Sequence, residues 1–421
     1  MSAAPDAGAA LTRRVLLALL AGLVVGLALA PFAGEGALRE QLVDGVLQIG
    51  GALFVAALKM LVVPLVFVSL VWGVSGLGGG AALGRLAART LALYLATTAV
   101  AVTLALTLAA AVRPGAGLAR PESVDFQPPE APPLGRVFLD LVPENPLAAM
   151  VEGQMLGVIV FALLFGLAMS RAPGGAPKLK ALFDELNETL LRLVMMVMAA
   201  APLGVFCLIA RTFAVEGLEA LWALARYAGT VAGALLLHVA LVYGGLVKGL
   251  ARLPVRPFFA KLRAVQLFAF STSSSNATLP VTLRTVQTRL GVSESVAAFT
   301  LPLGATVNMD GTAIMQGVAA VFVANVYGVD LGLGQFLTVI LTATLASIGA
   351  AGVPGIGLIT LTLVLQQIGL PLEAIGLIWG VDRLLDMLRT AVNVTGDAAV
   401  TVVVARAEGR LDEARYRDPA A

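Results

Sequence analysis

Apolar residues run through this chain in long blocks, and polar residues fall between the blocks or break them. A helix needs about 20 apolar residues to cross the hydrocarbon core. Runs of that kind lie near 15–32, 45–72, 87–112, 149–169, 184–210 and 220–248, and they predict six membrane-crossing helices. Beyond residue 255 the pattern changes: "VRPFFAKLRAVQLFAF" is an apolar arm, "STSSSNATLP" interrupts it, and "VTLRTVQTRLG" follows. Arms of roughly 11–16 residues reach only about 17–24 Å as helix, short of the ~30 Å core, so they predict a hairpin that enters and returns. The next run, Ser295 to Gly328, is long enough to cross but is broken at "NMDGT". The design then repeats: Leu333 to Gly369 is arm, Gly/Pro break and arm, and the last run carries "NVTGD".

The pattern therefore predicts an all-α polytopic membrane protein with eight transmembrane helices and two re-entrant helical hairpins, the second half built from two units of hairpin plus interrupted helix. Val307-Asn308 with Gly311 in one unit matches Val392-Asn393 with Gly396 in the other. Short, Gly/Pro-interrupted apolar segments in corresponding positions point to a transporter's binding site. Irregular backbone at membrane depth survives only where protein or an aqueous cavity satisfies its amides.

Composition agrees. The chain is 59% hydrophobic and 13% charged over 421 residues, with a mean hydropathy of +0.93, outside the range of soluble globular proteins. One Cys and one His exclude a disulfide framework and argue against a His/Cys metal site or a Cys–His nucleophile. A net charge of +2 gives no reason to expect nucleic-acid binding. Its distribution is informative. Arg13 and Arg14, then Arg85 and Arg89, then Arg171, Lys178 and Lys180, then Lys248, Arg252, Arg256, Lys261 and Arg263 mark alternate connections. Acids hold the connections between, including Glu122, Asp125, Glu130, Asp140 and Glu144, then Glu216 and Glu219. The asymmetry places both termini in the cytoplasm, with the first span retained rather than cleaved as a signal peptide.

The chemistry concentrates in the last run. On a helical wheel Asp382, Asp386, Arg389, Asn393, Asp397 and Thr390 fall at roughly 0°, 40°, 340°, 20°, 60° and 80°, one stripe about 100° wide. An intramembrane carboxylate costs at least ~2.5 kcal/mol without a partner, so the stripe faces a protein interior. A pairing of Asp386 with Arg389 at i, i+3 would neutralise two charges. It leaves Asp397, Asp310 and the amides of Asn308 and Asn393 unexplained. Carboxylates without nearby Lys or His, among hydroxyls, amides and freed carbonyls, suit an alkali or alkaline-earth cation. The Arg389 fork suits a substrate carboxylate, Asp386 an ammonium, and backbone N–H groups in the "SSSN" tip a second carboxylate. Those three charges describe an acidic amino acid.

At this point the chain resembles the glutamate/aspartate transporter family, the dicarboxylate/amino acid:cation symporters. The likeness covers nearly the whole chain through "KMLVVPLVFVSLVWG", "PENPLAAM", "STSSSNATLP", "LPLGATVNMDGT", "GAAGVPGIG" and "LDMLRTAVNVTGD". It implies a substrate site of Ser273, Ser275, Thr312, the backbone of Val353 and Gly357, Asp386, Arg389, Thr390 and Asn393. It implies sodium as coupling ion at up to three sites: Asp397 with carbonyls of Gly304, Asn308 and Asn393; carbonyls of Thr306, Ser347, Ile348 and Ala350; and Asp310 with Asn308, Thr97, Thr98 and the Tyr94 carbonyl. It also implies a homotrimer in the plasma membrane working as an elevator. Scaffold helices would occupy 1–72 and the fourth and fifth spans within 114–248. The third span (73–113), the sixth span and 249–408 would form the transport domain, and 409–421 a cytoplasmic tail. Two departures stand out. Archaeal members carry an Arg where Ser273 stands and animal members one where Met387 stands. Animal members also have a Glu where Gln316 stands, so the resemblance implies neither proton cotransport nor potassium countertransport here.

Other residues have plainer readings. Lys59 is a snorkelling or scaffold cation, His238 a packed residue rather than a proton relay, Gly22 and Gly26 a weak GxxxG signal among 45 glycines, and 114–146 an external loop. A channel would need a continuous pore, and an intramembrane hydrolase a nucleophile and base the chain lacks. The alternative within the same family is a proton- or sodium-coupled carrier of C4-dicarboxylates or of neutral amino acids; a C4-dicarboxylate has no ammonium for Asp386.

Overall fold

The computed structural model describes residues 4–32, 39–75, 81–118, 142–152, 154–348 and 355–418. Among them the chain is helical apart from one isolated bridge, Val292 to Leu411. Helices α1 (Ala4–Leu29), α2 (Gln48–Ser75), α3 (Ala81–Val112), α4 (Pro146–Glu152), α5 (Met155–Arg171), α6 (Pro177–Ala199) and α7 (Ala201–His238) form the first half. The second holds α8 (Val255–Thr272), α9 (Ser275–Thr288), α10 (Glu294–Val307), α11 (Asp310–Tyr327), α12 (Leu333–Ser347), α13 (Ile356–Gln367), α14 (Ile375–Ala407) and α15 (Glu413–Arg417). Four spans among the described residues are long and apolar enough to cross a membrane: Arg85–Val112, Trp222–Leu250, Glu294–Tyr327 and Val381–Ala407. A fifth forms if α6 and the start of α7, bent by 47°, act as one. The chain is an integral membrane protein. The expected total of eight is not reached by length and composition alone.

Pairings follow the apolar faces. α2 packs on α5, α6 and α7, and α1 lies along α7. α3, α8, α10 and α11 gather around α14, while α8 pairs with α9 and α12 with α13. Every residue of α11 from Asp310 to Ala324 is buried, as is α14 from Val392 to Ala405. Protein therefore covers these stretches on every side, and the two helices form the centre of the fold. The break between α10 and α11 stands where "NMDGT" predicts it, with Asn308 and Met309 outside helical dihedrals.

Three expectations change. The second interrupted helix does not occur: α14 runs unbroken through "NVTGD", because Gly396 serves close packing there and not a turn. The fifth and sixth runs are not separated either, since α7 continues through Glu216 and Glu219 and nothing there but Gly217 disfavours helix. Gly22 and Gly26 prove consequential. A Cβ on Gly26 would lie 2.6 Å from the Ala210 carbonyl oxygen, and one on Gly22 3.0 Å from that of Phe206, so both permit the α1–α7 approach. The side chain of Lys59 and most of the 114–146 connection lie outside the described residues.

The last residues are fastened to the base of α8 and α9. Lys261, 4% exposed, donates to the carbonyls of Arg289 and Arg415 at 2.7 Å and of Tyr416 at 3.0 Å. The Tyr416 hydroxyl donates to the Pro254 carbonyl, Arg406 pairs with Glu413, and Arg89 holds Glu408 at 2.6 Å. A buried ammonium is tolerated because all its donors are used. Lys261→Met removes charge-assisted bonds worth on the order of 2–3 kcal/mol. It is expected to lower the melting temperature by several degrees and to open Arg410 and Arg415 to trypsin; an unchanged digestion pattern would contradict the fastening.

Candidate functional site

The centre of the fold carries two polar clusters, both built from α14 against the α10–α11 break. In the first, Arg389 is fully buried. Its Nη1 donates to Asp382 and its Nη2 to Asp386 Oδ1 at 2.8 Å. The i, i+3 pairing weighed from the wheel is thus present, and Asp382 joins it from two turns earlier. Asp386 Oδ2 accepts from the Gly355 amide at 3.3 Å and lies 3.5 Å from Arg383. The Thr390 hydroxyl donates back to the Asp386 carbonyl at 2.8 Å, which turns it along the helix. A Cβ on Gly357 would lie 3.1 Å from Arg389 Nη2 and 3.2 Å from the Thr312 methyl, so α13 and α11 close on the guanidinium. These contacts bring Gly357, Thr312, Asp386, Arg389 and Thr390 together.

The tip between α8 and α9 contributes the serines. Ser273 sits in the left-handed region at φ 50°, a strained conformation for a side-chain residue. Its hydroxyl is buried with no partner among the described residues. Ser274 caps α9 by accepting from the Ala277 amide at 3.2 Å, and Ser275 opens the helix, buried. That start leaves free N–H groups and a positive helix end. α9 packs on α14, but no hydrogen bond among the described residues ties the serines to Arg389 or Asp386.

The second cluster surrounds Asp310 and Asp397. The Thr97 and Thr98 hydroxyls donate to the Tyr94 carbonyl at 3.0 and 2.9 Å, and Thr98 also lies 2.6 Å from Asp310 Oδ1. Asn308 Nδ2 donates to Asp397 Oδ1 at 2.9 Å and to the Asn393 carbonyl at 3.2 Å. Asn393 Oδ1 accepts from the Gly311 amide at 2.7 Å. The matched Val-Asn-x-x-Gly segments therefore dock reciprocally: each asparagine meets the glycine of the other, Gly311 against Asn393 and Gly396 against Asn308. Gly304 lies so close to Asp397 that a Cβ would fall 2.5 Å from its carboxylate.

The donor set fits an alkali cation. Asp310 and Asp397 are 0% and 3% exposed, and no Lys or Arg among the described residues pairs with either. Asn308 Oδ1 is a buried acceptor with no donor among the described residues, while its Nδ2 donates to the Asp397 carboxylate. Asp310 accepts from Thr98 and Tyr243 and faces His238, and Asp397 accepts from Asn308; carboxylates so placed, with an amide oxygen left over, could hold a hard cation. Tyr94, Thr97, Thr98 and Asp310 are brought together, as are Gly304, Asn308, Asn393 and Asp397, and Asn308 joins the second group rather than the first by its hydrogen bonds. Of the remaining set, Thr306 lies at the end of α10, and Ser347 and Ile348 lie at the end of α12. Ala350 and Val353 lie outside the described residues. Gln316 donates to the Thr360 hydroxyl at 2.7 Å.

Three participants escaped the reading of the sequence. Asp382 lay on the stripe but was given no role, although its i, i+7 spacing to Arg389 was visible. His238 and Tyr243 reach Asp310 Oδ2 at 3.1 and 2.9 Å from α7 and its continuation, and only the tertiary fold places them there.

A model of the sodium:dicarboxylate symporter family matches residues 11–407. The chain is 37% identical over 411 residues to the proton/glutamate-aspartate symporter of Escherichia coli (strain K12), spanning 95% of this chain and 93% of that protein. It is 34% identical to the proton/sodium-glutamate symport protein of Bacillus subtilis (strain 168), spanning 96% of each. With the excitatory amino acid transporter 2 of Homo sapiens it shares 35% identity, over 83% of this chain and 71% of the other.

Proposed function

This chain belongs to the sodium:dicarboxylate symporter family, and on that premise we propose that it carries L-aspartate or L-glutamate across the plasma membrane together with sodium ions. It is a transporter and not an enzyme. The observation that carries the reading is one buried guanidinium shared by two carboxylates, together with two more buried carboxylates that no Lys or Arg among the described residues neutralises.

Binding is an exchange of ionic partners. The substrate's side-chain carboxylate takes the place of Asp386 on Arg389, and its ammonium takes the place of Arg389 on Asp386. Charge is conserved at each step, so neither protein group is left bare in a low-dielectric site, which would cost several kcal/mol. Asp382 stays on Nη1 and holds the fork in place. The α-carboxylate goes to the start of α9, where the unpartnered Ser273 hydroxyl and the Ser275 region supply donors. Asn393 and Thr312 complete the wall, with Gly357 and Val353 offering backbone from the second tip. Sodium at Asp310 would be held by Tyr94, Thr97, Thr98 and Asn308, and at Asp397 by Gly304, Asn308 and Asn393. A third ion under the second tip would use carbonyls of Thr306, Ser347, Ile348 and Ala350. The paired helices α8–α9 and α12–α13 would be the two re-entrant hairpins. With α3, the second half of α7, α10, α11 and α14 they would move as an elevator against a scaffold of the other helices, in a homotrimer with both termini cytoplasmic.

Purified protein in liposomes is expected to accumulate labelled aspartate under an inward sodium gradient. Equal uptake with potassium replacing sodium would refute the coupling. The Escherichia coli relative's name gives a second reading, in which a proton drives transport. Gln316, an amide bonded to Thr360, gives no titrating group where animal members carry Glu. Accumulation driven by a pH gradient alone, without sodium, would favour that second reading. Succinate uptake matching that of aspartate would favour a dicarboxylate carrier.

A further inference from the structure

On sequence alone His238 is a packed residue of an apolar helix, and it is indeed fully buried. Packing does not account for where its ring points. Nε2 lies 3.1 Å from Asp310 Oδ2, and the Tyr243 hydroxyl donates to the same oxygen at 2.9 Å. The rings of His238 and Tyr243 meet edge to face with centroids 4.7 Å apart, so each fixes the plane of the other.

The helix is shaped for this. Residues five apart on an α-helix diverge by about 140°. At His238 the α-helix gives way to a π-helical turn, Val239–Tyr243, whose i, i+5 repeat stacks residues of that spacing. The widened turn thus sets His238 and Tyr243 on the same side, toward Asp310. The other carboxylate oxygen, Oδ1, is left facing Thr98 and through it the Tyr94 carbonyl.

We propose that His238 is a positioning residue for the cation held at Asp310: with Tyr243 it occupies Oδ2, so that Oδ1 is presented to the ion beside Thr98, Thr97 and Asn308. Nε2 is the ring nitrogen that faces the carboxylate, and Nδ1 has no partner among the described residues. A ligating carboxylate whose second oxygen is already held by side chains of the fold has its orientation set before the ion arrives and loses little freedom on binding it. The inference rests on the sodium reading above, and it adds a residue outside the ion's own ligands.

The test is sodium-induced thermal stabilisation of purified protein in detergent, titrated against choline chloride without substrate. The readout is the half-saturating sodium concentration. His238→Leu is expected to raise it at least about 10-fold, the usual effect of losing an outer-shell partner. His238→Gln, which keeps an N–H donor of similar reach, is expected to stay within about 3-fold of the parent protein, by the same argument. Tyr243→Phe removes only the second donor and is expected to raise it as well, which keeps the test open should His238→Leu fail to fold. A melting temperature lowered in choline with an unchanged sodium midpoint would mean a structural role and overturn the proposal. So would a His238→Gln variant as impaired as His238→Leu. No sodium response in the parent protein would instead remove the sodium reading, and the positioning role with it.

Discussion

Arg389→Ala is expected to abolish uptake of aspartate and glutamate. The fork is fully buried, and both its Nη groups bind carboxylates before any substrate arrives. Removing it deletes the receptor of the substrate's side-chain charge, leaves Asp382 uncompensated and leaves Asp386 to Arg383 and the Gly355 amide. Breaking such a pair costs about 3–5 kcal/mol, which corresponds to at least two orders of magnitude in apparent affinity. The same bare charge threatens folding, so the informative partner is the double variant Asp382→Asn with Arg389→Ala. It restores the charge balance and leaves Asp386 to bind an ammonium. The double variant is expected to fold and to take neutral amino acids such as serine in place of acidic ones. Competition by L-aspartate, L-glutamate, succinate and L-serine against one labelled ligand measures both. Aspartate uptake by Arg389→Ala with an unaltered KM would show that the fork is not the acidic-side-chain receptor.

Asp397→Asn should have a comparably large effect, on the ions. The carboxylate is 3% exposed and receives one hydrogen bond, from Asn308, in a cluster of oxygens. An asparagine keeps the shape and removes the charge that would draw a cation from water. The half-saturating sodium concentration is expected to rise at least about tenfold, a loss of 1.4 kcal/mol or more. Substrate affinity at fixed sodium should fall with it, because two ligands that favour one another do so reciprocally. Measuring substrate binding at several sodium concentrations separates this from a damaged pocket: affinity recovers at high sodium only if the ion is the link. Substrate affinity that fell while sodium dependence stayed normal would place Asp397 in the pocket instead.

Much of this was legible because membrane burial makes polar residues expensive. Six polar positions of α14 share a stripe by spacing alone, and all six are buried. The break at Asn308 and Met309 could be read because a span of that length holds no other polar run. What was not legible arises between elements. The i, i+7 spacing puts Asp382 on the same face as Arg389 without telling that the two pair, and nothing local tells that a histidine of α7 meets an aspartate of α11. The unbroken course of α14 was missed because its glycine resembles a helix break in isolation. Only the approach of Asn308 and Tyr243 explains it. The weak-looking pair Gly22 and Gly26 was discounted among many glycines, and the partner helix decides its value.

The glycines at the centre also limit how this protein can change its preferences. A methyl group at Gly304, Gly311, Gly357 or Gly396 would meet Asp397, the Arg389 backbone, the Arg389 guanidinium or Tyr243 within 3.1 Å. Such replacements push against a carboxylate, a main chain or a ring with no room to retreat. Natural drift toward a new cargo is thereby confined to exchanges of side chains at places such as Ser273, Thr312 and Thr390. The main-chain cradle itself is closed to gradual revision.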